Sequence, residues 1–350
     1  MIIEKRRAFP TDWLHQSAGP KRLNAHPGNT MPAFPKPSFE FAYDLKSERS
    51  ALRKWRDTKQ GRAIPQKSKD RLLLATWNLA NFGSQIRRPE DYALIAEVTS
   101  WFDLVAVQEV KDNRSGLDQL MAALPKTWRV IFSDAAGNDE RMTFVYDSTK
   151  VATREFVGEI AIEPSDLKNV KLPETTVAKF EGFDRNPYIV SFQSGKTVFC
   201  LVNVHLYYGD DSAKASLERR ALEAYAVARW CERESKSKNA FTPLIAALGD
   251  FNLPKVDPND PIFKALTRTG LQLPDHSTQI GSNLEGDQAY DQVAYFPTGA
   301  GARFTGKSGV FDFDGAVFAE LWKTKTPVQF RSYIRYFLSD HRPLWAEFTV

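Results

Sequence analysis

Short apolar runs of β-prone residues recur along most of this sequence, and they restrict its possible folds more than any other feature. They occupy residues 72–78, 104–110, 128–133, 142–147, 188–192, 197–207, 244–251, 291–296 and 343–350. Nearly continuous apolar strands are typical of sheets that are covered on both faces. The sequence therefore predicts buried β-sheets from about residue 71 onward.

Amphipathic helical patterns accompany these runs. Residues 212–234 are rich in Ala, Leu, Glu and Arg, and residues 45–60 form a shorter basic pattern that also predicts a helix. Residues 90–102 place four apolar side chains on one helical face: Leu94, Ile95, Val98 and Trp101. Because strands and helices alternate along the chain, we predict a layered α/β domain.

The composition excludes several classes of protein. Hydrophobic residues make up 42% of the 350 residues and charged residues 26%, which is typical of a globular protein. No apolar run approaches the roughly 18 residues that a membrane span requires. The first residues, MIIEKRRAFPTDW, lack the apolar core of a secretory signal. We therefore expect a cytoplasmic protein without a membrane span, and we assume a monomer.

Positive charge is concentrated at the front of the chain. Residues 1–71 carry 16 Lys and Arg against 7 Asp and Glu, whereas the whole chain carries 47 against 43. We interpret residues 1–70 as a basic, Pro-containing extension and residues 71–350 as the main domain. The extension is either an electrostatic handle for a polyanion or a solvated tail. Alternatively, its aromatic side chains pack onto the domain: Phe34, Phe39, Phe41, Tyr43 and Trp55.

Polar residues stand where the apolar runs begin or end, which is where open α/β folds carry their sites. These residues are Asn78, Glu109, His205, Asp250, Asn252, Asp291, Asp340 and His341. A single carboxylate there is more often a cap, and a single His is more often structural. So many together indicate a functional site.

The residue types fit phosphodiester hydrolysis, which requires charge neutralisation, an activated water and a proton for the leaving oxygen. His205 and His341 can carry protons near neutral pH. Four side chains offer the hard oxygen ligands that Mg²⁺ or Mn²⁺ prefers: Asn78, Glu109, Asp250 and Asp340. The sequence contains no GxSxG elbow, Walker loop, HExxH, Cys-rich zinc pattern or strand-borne GxGxxG.

Eight segments, in order, resemble the motifs of the endonuclease/exonuclease/phosphatase superfamily, and most of all its deoxyribonuclease I-like branch. They are ATWNLANFG (75–83), VAVQEVKDN (105–113), ERMTFVYD (140–147), DRNP (184–187), NVHLYYG (203–209), LGDFNLP (248–254), AYDQVAYF (289–296) and SDHRPLW (339–345). The resemblance covers residues 72–350. It implies an α/β four-layer sandwich of two packed mixed β-sheets flanked by helices.

The resemblance also implies a metal and phosphate side of the site. Glu109 would be the principal ligand of Mg²⁺ or Mn²⁺, with Asn78 and Asp340 completing that side. Asp250 would lie near the phosphate or a second metal. Arg185 and Asn252, with Asn78, would hold phosphoryl oxygens.

His205 and His341 would be the acid/base pair. Glu140 would orient His205, and Asp291 would orient His341, because a carboxylate behind an imidazole fixes its tautomer. The order of proton transfer depends on how the substrate lies in the site. We assign His341 as the base.

Residues outside these motifs leave the substrate open. Residues 300–325 predict a long surface loop with two short elements, within an insertion at about 299–336 of unknown role. The leading hypothesis is a metal-dependent DNA endonuclease that acts by in-line attack of water. The alternative is a superfamily enzyme acting on inositol phosphates or phospholipid head groups. A more remote alternative is a nucleic-acid-binding module that has lost catalysis.

Overall fold

The computed structural model describes residues 34–350. Within this range the chain forms eleven strands and seven α-helices. The strands are β1 (Arg71–Phe82), β2 (Leu104–Lys111), β3 (Trp128–Phe132), β4 (Glu140–Asp147), β5 (Ala152–Glu159), β6 (Tyr188–Ser194), β7 (Thr197–His205), β8 (Ile245–Asp250), β9 (Asp291–Tyr295), β10 (Phe304–Val310) and β11 (Leu344–Thr349). The helices are α1 (Leu45–Thr58), α2 (Pro89–Thr99), α3 (Ser115–Ala123), α4 (Lys214–Lys236), α5 (Pro261–Thr267), α6 (Ala319–Thr324) and α7 (Pro327–Phe337).

The strands form two mixed sheets. The six-stranded sheet has the order β10-β11-β1-β2-β4-β3, and the five-stranded sheet has the order β5-β6-β7-β8-β9. One neighbouring pair in each sheet is parallel, β1 with β2 and β7 with β8, and the other pairs are antiparallel. The parallel strands lie inside their sheets, as their apolar sequences require.

Successive side chains of a strand pack into different layers of the domain. In β1, Leu72 and Leu74 lie in the core between the sheets, where Phe144 and Phe192 also pack. The other face of β1, which includes Trp77, packs against α1, α2, α3, α6 and α7. The outer face of the second sheet packs against α4 and α5. The result is helix, sheet, sheet and helix, which confirms the predicted four-layer sandwich.

Each of the nine apolar runs forms a strand, and the three predicted helices are present as α1, α2 and α4. Strand β5 and helices α3, α5 and α7 are not predicted by the sequence patterns. Helix α7 begins at a capping box, in which Thr326 Oγ1 accepts from the Gln329 backbone N–H. None of the helices in the described range is long and apolar enough to cross a membrane.

Residues 300–325 contain two short elements, as the sequence predicts, but they are not the long surface loop expected around them. They contribute β10, which pairs with β11 at the edge of the first sheet, and helix α6. Phe311, Phe313 and Phe318 from this segment are buried in the helix-covered core. The prediction was wrong because the Gly, Ser and Lys residues of β10 occupy a sheet edge, where a strand needs fewer apolar side chains.

Candidate active site

The two sheets bring their predicted site residues together at one end of the sandwich. The amide nitrogen of Asn78, from β1, donates to Glu109 Oε1 of β2 at 2.9 Å. The same nitrogen donates to Asp250 Oδ2 of β8 at 3.1 Å. Asn78 and Asp250 are almost fully buried. The Asn78 amide thus joins carboxylates from both sheets.

Residues with positive φ angles orient these side chains. Glu109 has φ 60°, and Ala80 and Asn81 have φ 40° and 50°, where the β1–β2 register shifts. Non-glycine residues in this region cost of order 1–3 kcal/mol each, and such strain clusters at functional sites. Here it lets the Asn81 backbone N–H donate to Glu109 Oε2 at 2.6 Å.

Gly249 permits the close approach of β8 to β7 directly before Asp250. It has φ 139°, and a Cβ there would lie 2.1 Å from the carbonyl oxygen of Val204. No other residue fits this position without moving the strands apart. The next pair in the register is His205 with Asp250, so the glycine sets the spacing of these two residues.

His205 lies next to a buried carboxylate. Its Nδ1 lies 3.0 Å from Glu140 Oε2, and Lys111 Nζ donates to Glu140 Oε1 at 3.0 Å. Burial alone would raise the pKa of the Glu140 carboxyl, but His205, Arg185 and Lys111 outweigh burial and lower the pKa to about 2. Glu140 therefore stays ionised behind His205 near neutral pH.

His341 has its own carboxylate. Its Nδ1 lies 2.7 Å from Asp291 Oδ2, and its backbone N–H donates to Ser339 Oγ, which in turn donates to the carbonyl of Asn78. Burial alone would lower the pKa of the His341 imidazole, but Asp291 and Asp250 raise it well above its ordinary value. This environment favours the imidazolium form.

Asp250 lies near both imidazoles. Its Oδ2 is 3.7 Å from His205 Nε2 and 3.9 Å from His341 Nε2. Burial opposes ionisation of Asp250, but the two histidines lower the pKa of its carboxyl. Each imidazole therefore has one nitrogen near its own carboxylate and the other near Asp250.

Two carboxylates at this end, Asp340 and Asp291, are not fully compensated by positive charge or hydrogen bonds. Burial and the neighbouring Glu109 carboxylate raise the pKa of Asp340 to about 6, although His341 opposes the shift. Asp291 Oδ1 is buried without a hydrogen-bond partner among residues 34–350. Ligand atoms of Asp250, Asp291 and His341 also lie within 4.8 Å of one another. This group could hold a divalent cation, but it shares only Asp250 with the ligand set that the resemblance implies, and its Asp291 and His341 already contact each other.

Known proteins share part of this sequence and its fold. No family model matches the sequence. A curated deoxyribonuclease of Thioalkalivibrio sp. (strain K90mix) is 28% identical over 200 residues, which are 55% of this chain and 49% of that protein. The chain thus spans about half the length of the curated relative it matches.

Solved structures share the fold. An endonuclease/exonuclease/phosphatase family protein from Bacteroides thetaiotaomicron has a TM-score of 0.52 at 18% identity, covering 80% of this chain and 95% of that one. A mannosyl-6-phosphatase from the same organism has a TM-score of 0.51 at 17% identity, covering 79% and 98%. A D. rerio TDP2 humanized by 14 mutations gives 0.51 at 13% identity, covering 80% and 99%.

The chain has the endonuclease/exonuclease/phosphatase fold. The fold that the resemblance implies is therefore confirmed by its two sheets and by these solved structures.

Within the endonuclease/exonuclease/phosphatase fold, two of the three predicted phosphate-binding residues lie close behind His205. Arg185 is 3% exposed, and its guanidinium donates to the carbonyls of His205 and Leu206 at 2.9 and 3.0 Å. The Asn252 amide nitrogen also donates to Leu206, at 2.7 Å. In this arrangement both side chains hold the backbone that carries His205. Their contact with a phosphoryl group stays a prediction.

Sequence reasoning missed one buried cation of the site. Arg87 donates to the carbonyls of Leu79, Ala80 and Leu338, and so ties the loop after β1 to the segment before Asp340. It is 6% exposed. A charged residue in a loop normally predicts exposure, so only its place between two motifs could have drawn attention to it.

Proposed function

We propose that this chain is a metal-dependent phosphodiesterase that cuts DNA internally. The placement of Asp250 Oδ2 within 4 Å of both His205 and His341 carries the proposal. Two imidazoles that share one carboxylate are well placed to move protons at a single phosphoryl centre. The name of the curated deoxyribonuclease supports DNA as the substrate.

We place the cation beside Glu109, with Asp340, Asp250 and Asn78 around it. Bound Mg²⁺ or Mn²⁺ supplies charge neutralisation at the phosphoryl oxygens and activates water. The protein's own contribution is orientation. Asn78 holds Glu109 and Asp250 in place through its amide nitrogen, and Ser339 fixes the backbone of Asn78 relative to His341.

The charges around His341 favour the reverse of the proton order assigned from sequence. Asp291 and Asp250 favour the charged form of His341, with Asp291 Oδ2 2.7 Å from its Nδ1. An imidazolium donates a proton but cannot accept one. We therefore assign His341 to protonate the leaving oxygen during in-line attack, and His205, oriented by Glu140, to take the proton from water.

A small phosphate ester is the second candidate substrate, and the ion pairs of the basic extension favour it. Arg53 pairs with Glu97 at 2.7 Å, and Arg62 pairs with Asp312 at 2.8 Å. These two cations are already neutralised within the domain. The net positive charge of residues 1–71 should therefore attract a polyanion less strongly than the count of charges indicates.

Removing the cation is the first test. We expect the protein to cleave supercoiled plasmid in Mg²⁺ or Mn²⁺ and to lose this activity in excess EDTA, because its oxygen ligands bind such cations. Linear duplex, single-stranded DNA, RNA, inositol phosphates, phospholipid head groups and bis-p-nitrophenyl phosphate would be assayed in parallel. Full activity in EDTA would rule out metal dependence. Cleavage of only the small esters would replace the DNA proposal.

Glu109→Gln tests the position of the cation. The substitution keeps the shape of the side chain but removes the charge, so we expect metal affinity to fall at least about 10-fold. Higher Mg²⁺ should restore part of the activity. The measurement is a metal titration of both proteins, with Glu90→Gln, an exposed carboxylate on α2, as the matched control. Identical metal dependence of Glu109→Gln and wild type would remove Glu109 from the ligands.

A further inference from the structure

Helix α4 binds the backbone of the loops that carry or adjoin three proposed site residues. The Glu223 side chain is fully buried. Its Oε2 accepts from the Tyr207 backbone N–H at 2.9 Å, and its Oε1 accepts from the Asp184 backbone N–H at 3.1 Å. Arg219 Nε lies 3.4 Å from Oε1. One carboxylate thus connects the loop of Arg185 with the loop that follows His205.

Arg220, one turn earlier on α4, holds a third loop. It is also fully buried. Its guanidinium donates to the carbonyl of Asn252 at 3.3 Å and to Asp211 Oδ1 at 2.9 Å, and it donates to the carbonyl of Tyr208. The guanidinium also lies 4.6 Å from the centre of the Tyr208 ring. The loops after β7 and β8 are therefore joined through this side chain.

Burying these groups is costly: burial raises the pKa of the Glu223 carboxyl to about 7, although the Tyr207 N–H and Arg219 oppose the shift. Apolar side chains usually join a helix to a sheet at least as well. The partners of Glu223 and Arg220 are irregular backbone, however, and irregular backbone needs fixed acceptors and donors to keep one conformation. The chosen loops carry Arg185 and Asn252, and one of them begins directly after His205 at the end of β7. Catalysis requires such groups to be held closely, since a displacement of about 1 Å can cost about 10²-fold in rate.

We propose that Glu223 and Arg220 are positioning residues, which fix the loops that carry or adjoin Arg185, His205 and Asn252 in the geometry that the reaction needs. The proposal rests on the proposed phosphodiesterase function for its catalytic consequence. The positioning itself is a property of the loops and can be measured without turnover.

Glu218 on the same helix offers a matched control. It too is buried, and its carboxylate accepts from the backbone N–H groups of Thr176, Val177 and Ala178 at 3.0, 2.7 and 2.8 Å. Residues 176–178 carry none of the proposed site residues. Glu218 therefore clamps a loop through backbone hydrogen bonds, as Glu223 does, but away from the site. These hydrogen bonds outweigh burial and lower the pKa of the Glu218 carboxyl to about 2, whereas the pKa of Glu223 is raised.

The experiment compares Glu223→Gln with Glu218→Gln in the full chain. A Gln keeps the volume but turns an NH₂ group toward a backbone N–H, so each substitution should release part of one clamp. With bis-p-nitrophenyl phosphate and saturating Mg²⁺, we expect Glu223→Gln to lower kcat by about 10- to 100-fold with KM changed by less than about threefold. Glu218→Gln should keep kcat within about threefold of wild type and lower the thermal unfolding midpoint at least as much.

Amide hydrogen exchange provides the readout that does not depend on activity. We expect faster exchange at Asp184 and Tyr207 in Glu223→Gln, and at residues 176–178 alone in Glu218→Gln. Arg220→Lys, which keeps the charge but loses the planar fork, should give the same kcat loss and faster exchange around Tyr208.

Two results would overturn the proposal: unchanged exchange at Asp184 and Tyr207, or a kcat loss in Glu223→Gln no greater than in Glu218→Gln. A wild-type chain inactive on every substrate would instead overturn the proposed function, and hydrogen exchange would still decide the positioning.

Discussion

Replacing His341 with alanine is expected to lower kcat by about 10² to 10⁴, the usual contribution of a positioned proton carrier. His205→Ala should lose a similar amount. The two imidazoles face one carboxylate, Asp250, at 3.7 and 3.9 Å, so they should act in one step. The double substitution should therefore lose less than the sum of the two single losses.

The two histidines can be told apart by the leaving group. A p-nitrophenolate departs without a proton, whereas a nucleotide oxygen needs one. If His341 is the acid, His341→Ala should lose less activity on bis-p-nitrophenyl phosphate than on DNA, and His205→Ala should lose equally on both. The opposite pattern would restore His341 as the base. Near-normal turnover of both single variants on DNA with metal present would contradict both roles, provided that thermal unfolding shows intact folding.

The strands that sequence reasoning found and missed differ in burial. Residues 72–78 and 244–251 consist mostly of apolar residues because β1 and β8 lie inside their sheets and face a layer on each side. Strand β5 is an edge strand with mostly exposed or half-buried side chains, and its sequence, ATREFVGE, has no apolar run. Such a strand forms because β6 provides a hydrogen-bonding partner. The residues of β5 alone therefore do not predict it, since its partner lies elsewhere in the sequence.

The site also combines features that the sequence predicted with features that it did not. The motifs predicted which residues meet, because the ends of β7 and β8 fix His205 and Asp250 and the register shift in β1 follows Asn78. The direction of a side chain is set by tertiary contacts, and the buried guanidinium of Arg185 behind His205 was not predictable. Glu223 and Arg220 were also missed. Charged residues on a helix normally predict a solvated face, whereas these two side chains are fully buried.

The contacts of residues 34–70 distinguish between the alternatives for the basic extension: a handle for a polyanion, a solvated tail, or a segment that packs onto the domain. Residues 1–33 lie outside the described range, so the part of the basic extension that they form stays a prediction. From Phe34 onward, the five aromatic residues that were expected to pack onto the domain contact its helix-covered core. Leu52 of α1 is 1% exposed. From Phe34 onward, the extension therefore packs onto the domain and is not a solvated tail.

Polar contacts connect the same segment to the strand end that carries His341. Trp55 Nε1 donates to Asp312 at 2.8 Å, and Arg62 donates to both oxygens of that carboxylate at 2.8 and 2.9 Å. Two residues further on, Asp314 accepts two hydrogen bonds of 2.7 Å from Arg342, the neighbour of His341. We therefore propose that residues 34–70 belong to the catalytic unit and are not a separable arm.

Removing residues 1–68 is then expected to abolish folding and all activity, including cleavage of a small diester. Each large apolar side chain withdrawn from the core costs about 1.5–3 kcal/mol, and the loss would exceed the stability of a typical domain. Point substitutions on α1 give a finer test. Leu52→Ala should destabilise the protein by about 2–5 kcal/mol, whereas Lys54→Ala, which changes an exposed residue, should not.

The salt dependence of binding separates packing from a nucleic-acid arm. Duplex binding by the Glu109→Gln protein would be measured across a salt series, with and without Lys54→Ala. A lysine that neutralises one phosphate contributes about 0.9 to the slope of log K against log salt. We expect the Lys54→Ala slope to match the parent, because α1 is held by its packing and not by a ligand. A folded, active chain without residues 1–68, together with a flatter slope in Lys54→Ala, would instead identify the segment as a nucleic-acid arm.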